Sequence, residues 1–122
     1  MNNLIAVFIG GGFGSLVRYG ISTITLYLIK TTFPVATLIS NISSCIILAT
    51  AVTMLNTKSE AETWKLLIIT GFCGGFSTFS AFSYETVELI RSGNSMYAIS
   101  NIVISLTVCI VLIYIITKNQ TT

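Results

Sequence analysis

The sequence predicts an all-α membrane protein, a single domain over residues 1–122 with four transmembrane helices, the third of them broken. Three observations lead there. Hydrophobic residues make up 53% of the chain and charged ones 8%, where a soluble domain carries roughly a quarter charged. Four apolar segments, at about 4–29, 33–55, 64–84 and 96–116, each reach the ~20 residues that a helix needs to cross a bilayer. The polar connections between them (KTT, NTKSEAET and ELIRSGNS) are short.

The first segment, Leu4–Ile29, is too long for a signal-peptide core and has no basic run ahead of it, so it reads as a retained helix. It contains GGGFGSLVRYG, in which Gly10 and Gly14 have the G-x-x-x-G spacing that lets helices approach closely. Arg18 lies near the middle of this segment, and two readings stand. It snorkels or caps a helix contact, or it faces an aqueous vestibule and attracts anions. No acid in the first, second or fourth segment is available to neutralise it.

The second segment, Phe33–Leu55, starts at Pro34, the only proline. Its TLISNISSC stretch puts Thr37, Asn41 and Ser44 on one helix face. That face is either a hydrogen-bonding helix seam or a line of donors along a narrow pore. The third segment, Trp64–Tyr84, holds GFCGGFSTFSAFSYE. Gly71 and Gly75 repeat the G-x-x-x-G spacing, and GG followed by FST at Gly74–Thr78 is poor helix-forming sequence. It predicts a break in mid-membrane, tolerated only where backbone is buried in protein or lines a cavity. Carbonyls freed there suit a hard cation such as Na⁺. Beyond the break Phe79 and Phe82 share a face, as a packing pair or as ring edges offered to a desolvated anion. Gly93 and Asn94 make the turn into the fourth segment, Met96–Ile116. There Tyr97, Asn101 and Ser105 recur every four residues as one polar stripe.

Composition excludes much. There is no histidine and no aspartate, which removes Ser–His–Asp triads and most metal sites. No nucleophile–base pair is visible, so the chain is not expected to be an enzyme. Glu60 and Glu62 fall in a connection and read as solvated loop; Glu85 and Glu88 lie near a helix end. A net charge of +2 without a basic run argues against nucleic acid. Cys45, Cys73 and Cys109 are scattered through apolar stretches and read as small buried residues. A small multidrug-type exporter would need an embedded carboxylate in its first helix, where this chain has Arg18. A non-transporting scaffold would explain the glycine seams but not the polar residues around a broken third helix.

Charge gives little orientation. Lys58, Lys65 and Lys118 fall on one side of the membrane, Lys30 and Arg91 on the other, so the positive-inside bias is nearly nil. Either the chain inserts both ways, which allows an antiparallel dimer, or a partner decides. Four such helices make a thin bundle with little interior, so oligomerisation is expected on both readings.

Three pieces of sequence carry a resemblance: GGGFGSLVRY in the first span, TLISN in the second and GFCGGFSTFSAFSYE in the third. Together the chain resembles the Fluc/CrcB-type fluoride channels across all four spans. The resemblance implies a passive, fluoride-selective channel in the cell membrane that releases fluoride trapped after HF enters and dissociates. It implies an antiparallel, dual-topology homodimer in membrane lipid with two pores and a structural Na⁺ at its centre. By motif position Asn41 would be the pore amide, Phe79 and Phe82 the ring-edge contacts, and Ser80 a hydroxyl on the path. Gly74 and Ser77 would lend carbonyls to Na⁺, and Arg18 would lie by the vestibule. Tyr97 and Ser105 would be pore-lining on the fourth helix, with Asn101 where a hydroxyl is expected. Ala81, Ala36, Ser40 and Ser44 depart from the family pattern, which leaves open a heterodimer with a paralogue.

Overall fold

The computed structural model describes residues 2–59 and 61–121, and among them every regular element is helical. Helix α1 (Asn3–Leu28) has 26 residues, a length of about 39 Å at 1.5 Å per residue. The Asn2 side chain caps it by accepting the Leu4 N–H at 2.8 Å, satisfying one of the free donors of the first turn. Helix α2 (Val35–Leu55) begins after Pro34, which stands at the cap position. The helix therefore starts two residues later than the apolar segment suggests.

The third crossing is built from several pieces. Helix α3 (Glu62–Lys65) passes into a π-helical stretch, Leu66–Cys73, and then into α4 (Gly74–Phe76). Ser77 (φ −82°, ψ 157°) and Thr78 (φ −152°, ψ 115°) are extended. Helix α5 (Phe79–Arg91) follows. Gly74 and Gly75 are themselves helical, so the non-helical pair lies after the glycines rather than at them. Glu62 opens α3 instead of lying in a loop, a favourable place for a negative charge beside the helix dipole; Glu60 falls outside the described residues. The crossing runs on to Arg91 rather than ending near Tyr84. Charges end an apolar stretch without ending a helix, and here Arg91 and Glu88 form an exposed ion pair at 3.2 Å one turn apart.

Gly93, at φ 84°, turns the chain out of α5. The Asn94 N–H donates to the Leu89 carbonyl at 2.8 Å, the glycine-dependent way of closing a helix C-terminus. Helix α6 (Ser95–Thr117) and a short 3₁₀ turn (Lys118–Thr121) complete the description. By length and apolarity α1, α2, the crossing from Glu62 to Arg91 and α6 can each span a membrane.

What holds these helices together is mostly small residues. Ala6, Gly10 and Gly14 of α1 are buried, as are Ser40, Ser44, Ala49 and Ala51 of α2 and Ala98, Asn101 and Ser105 of α6. Large apolar side chains point outward, among them Phe8, Leu26, Tyr27 and Met96. This is the pattern expected in lipid, where burying leucine gains nothing and close backbone approach does.

The tightest seam joins α1 to residues 66–76. A Cβ on Gly10 would collide with the Leu67 carbonyl, one on Gly14 with the Phe72 carbonyl, and one on Gly75 with the Gly11 carbonyl. A Cβ on Gly71 would come within 2.8 Å of the Val7 carbonyl. The two G-x-x-x-G spacings thus face each other, each weak as a signal and specific as a pair. Helix α2 packs against this crossing, against α1 and against α6.

Candidate functional site

Begin with the extended pair. A backbone leaving helical geometry frees peptide groups, and in an apolar setting each needs a partner. Asn41 of α2 supplies two. Its Oδ1 accepts the Thr78 N–H at 2.8 Å, and its Nδ2 donates to the Thr78 carbonyl at 3.4 Å. The side-chain amide mimics a peptide group and clamps Thr78 from both sides, which fixes which end of the amide is oxygen.

The clamp diverts the Thr78 N–H from the Gly74 carbonyl, its partner in a continuing helix. The next carbonyl, that of Gly75, accepts from Arg18 Nε at 3.1 Å. Arg18 thus lies beside the extended pair, half-buried, and among the described residues no acid is within ion-pair reach of it. The Cys73 carbonyl is the busiest acceptor here. It takes the Ser77 N–H at 3.0 Å, the Ser77 hydroxyl at 2.7 Å and the buried Ser44 hydroxyl at 3.1 Å.

Thr78 also restarts the helix. Its Oγ1 accepts the Ala81 N–H at 3.1 Å and lies 3.3 Å from the Ser80 hydroxyl. Thr78→Ala should destabilise α5 by about 1 kcal/mol through loss of the cap, while Thr78→Ser should restore most of that. Thermal or denaturant unfolding of the purified variants measures the difference, and equal stability of the alanine and serine variants would contradict the capping role.

A cleft of about 190 Å³ opens beside this junction, lined by Asn41, Ser77, Phe79, Phe82 and Ser105, with Cys45 and Cys109 farther along α2 and α6. Four of the six residues expected in a pore, Asn41, Phe79, Phe82 and Ser105, therefore share one wall, together with one of the two expected to lend a carbonyl. The Phe79 and Phe82 rings meet with centroids 5.7 Å apart at 41°. Phe82 is buried and Phe79 is 75% exposed. No acidic or basic side chain lines the cleft.

The remaining expected residues lie elsewhere. Ser80 is exposed beside Thr78 rather than on the cleft wall. Tyr97 sits a distance along α6, edge-on to Phe33 at 5.8 Å. Gly74 is exposed with open space around it. Asn101 is almost wholly buried and serves structure: it donates to the Thr86 hydroxyl at 3.0 Å and accepts from Ser105 at 3.2 Å. Thr86 in turn donates to the Phe82 carbonyl at 2.8 Å. This relay fastens the Phe82 turn of α5 to α6. Glu85 lines a second cleft, of about 310 Å³, with Phe33, Pro34 and Glu88, and its buried Oε1 has no hydrogen-bond partner among the described residues.

Sequence reasoning missed Thr78, Thr86 and the Ser44–Cys73 contact. A hydroxyl residue just before a helix is a readable cap signal at Thr78. The other two depend on pairings between helices that no single segment encodes.

Comparison with known proteins gives consistent matches. The profile of the family described as CrcB-like protein, Camphor Resistance (CrcB), matches residues 5–116. The fluoride-specific ion channel FluC of Serratia proteamaculans is 41% identical over 107 residues, covering 87% of this chain and 84% of its own. Fluoride-specific ion channel FluC 1 of Yersinia pseudotuberculosis is 42% identical over 105 residues, 85% of this chain and 82% of its own. The FluC protein of Pyrococcus abyssi is 39% identical over 116 residues, 94% and 93%. Matched over nearly its whole length, and at such identity to these relatives, the chain belongs to the CrcB-like family.

Proposed function

We infer that this chain is a subunit of a passive, fluoride-selective channel of the cell membrane that lets cytoplasmic fluoride out. The observation that carries this is the likeness to proteins named fluoride-specific ion channels across most of their length and its own. The cleft supports it. Fluoride is small and strongly hydrated, so a selective path must replace its water with donors without holding it tightly. Asn41 spends one of its two amide hydrogens on Thr78, and among the described residues no hydrogen bond takes the other, which would serve an anion. The positive edges of Phe79 and Phe82 supply weak, non-ionic contacts. A wall without carboxylates offers an anion no repulsion, and Arg18 near the junction biases the region toward negative ions.

The interruption at Ser77–Thr78 works as a functional break in the third transmembrane helix. Gly74, whose carbonyl loses its helical partner, and Ser77 offer hard oxygen donors of the kind Na⁺ accepts. They are the residues that would hold a structural Na⁺, which would supply positive charge at a subunit contact. The assembly is an antiparallel dimer. A single chain leaves Phe79 exposed and its cleft open, a second copy would close it, and the balanced lysines permit insertion both ways.

The test is direct. Purified chain in liposomes under a fluoride gradient should release fluoride and not chloride, read by ion-selective electrodes. Phe79→Ile or Phe82→Ile should slow that release severalfold with assembly intact, and unchanged flux in both would remove the rings from the path. Silence from the pure protein would point to a heterodimer with a paralogue.

A further inference from the structure

Cys45 and Cys109, which lie far apart in sequence, come together on the wall of the same cleft. Cys45 is one turn beyond Asn41 on α2, and Cys109 one turn beyond Ser105 on α6. Both line that cleft, close enough for their side chains to interact, and neither is in a disulfide nor fully buried. Cys73 differs: it is 2% exposed, and its thiol donates to the Ser44 carbonyl at 3.7 Å. Two soft donors from two helices therefore share a cleft wall on which every other polar group is a hydroxyl, an amide or a peptide group.

We propose that Cys45 and Cys109 form a two-thiolate site for a soft divalent cation that accepts linear coordination, and that an ion bound there obstructs the anion route. The choice of ion follows from the surroundings. Zinc-like ions take four ligands, and among the described residues no group of three or more His, Cys, Asp or Glu is available. A divalent ion on two thiolates leaves a neutral unit, whereas a monovalent one would leave an uncompensated charge in an apolar wall. A disulfide would draw the sulfurs to about 2.05 Å. A linear bridge sets them about two metal–sulfur bonds of ~2.3 Å apart, a span that two thiols on one cleft wall can bridge without a direct bond. On binding, both S–H bonds break, two metal–sulfur bonds form, and two protons pass to water; nothing is oxidised or reduced. The obstruction rests on reading this cleft as the fluoride route, while the binding does not.

Mercuric chloride is the probe, with full-length protein in detergent for binding and in liposomes for flux. One Hg²⁺ per chain should remove two of the three titratable thiols and produce the ultraviolet sulfur-to-mercury charge-transfer band. Cys45→Ser and Cys109→Ser should each weaken binding roughly 100-fold, the gain that a second linked contact provides, and Cys73→Ser should leave it tight. Fluoride efflux, scaled to each variant's untreated rate, should fall in the parent and in Cys73→Ser, recover with a dithiol, and resist mercury in the Cys45→Ser/Cys109→Ser double variant. Tight binding that survives loss of either cysteine, or that disappears with Cys73→Ser, would overturn the site. Stoichiometric binding with undiminished efflux would overturn its place on the route. A protein that passes no fluoride untreated would instead overturn the channel reading, and stoichiometry alone would then uphold or overturn the thiol pair.

Discussion

Gly14→Ala should destabilise the fold by about 1–3 kcal/mol, the range for forcing extra volume into a packed contact, although alanine is the better helix former by about 1 kcal/mol. The new methyl would meet the Phe72 carbonyl and come within 2.9 Å of the Phe76 nitrogen. Both are backbone atoms in a helix and have no rotamer to escape into. The only relief is to move α1 away, and that forfeits the contact along the whole seam from Gly10 to Gly75. Gly12→Ala is the matched control, because a Cβ there meets nothing within 4 Å. Reversible unfolding of the two variants in mixed micelles, followed by circular dichroism, compares them. Equal stability would mean that α1 does not pack on residues 66–76 as closely as described.

Asn41→Asp should abolish fluoride efflux with the fold largely intact. The carboxylate keeps an acceptor for the Thr78 N–H and loses the donor to the Thr78 carbonyl, so about half the clamp survives. It also puts a negative charge on the cleft wall. At about 4 Å and an effective dielectric near 20, that repels an anion by about 4 kcal/mol, roughly a thousandfold in occupancy. Asn41→Ala separates the two roles. It leaves both Thr78 peptide groups unpaired, at about 1–3 kcal/mol each if they stay dry, so the alanine variant should lose stability as well as flux. A conducting Asn41→Asp protein would take Asn41 off the route, and an Asn41→Ala protein as stable as the parent would dissolve the clamp.

Much of this was legible in the sequence because the signals are local. Apolar runs of sufficient length mark the crossings whatever they pack against, and Gly93 marks its turn by the backbone it alone adopts easily. The end of the third crossing was not legible, since hydropathy drops at Glu85 while the helix continues to Arg91. The Gly74–Gly75 pair suggested where helical geometry would fail. In the fold those residues stay helical, and Gly75 serves the close approach to Gly11 instead. What decides the extended pair is Asn41, 37 positions earlier. The cysteines show the same limit: scattered in sequence, two of them line one cleft only after α2 and α6 have packed. Motif position brought Asn41, Phe79, Phe82 and Ser105 to one wall, but it could not tell that Asn101 is absorbed into a buried relay or that Tyr97 stands apart.

The clamp and the glycine seam have a consequence for how the protein is made. Both partners that the third crossing requires, the groove of α1 and the amide of α2, precede it in the chain. A chain is synthesised from its N-terminus, so the groove and the amide are made before residues 62–91. Alone, that segment would enter lipid with Thr78 unpaired and Arg18 not yet at Gly75. The third crossing thus has both its partners made before it, and α6, with the highest mean hydropathy of the four spans, comes last.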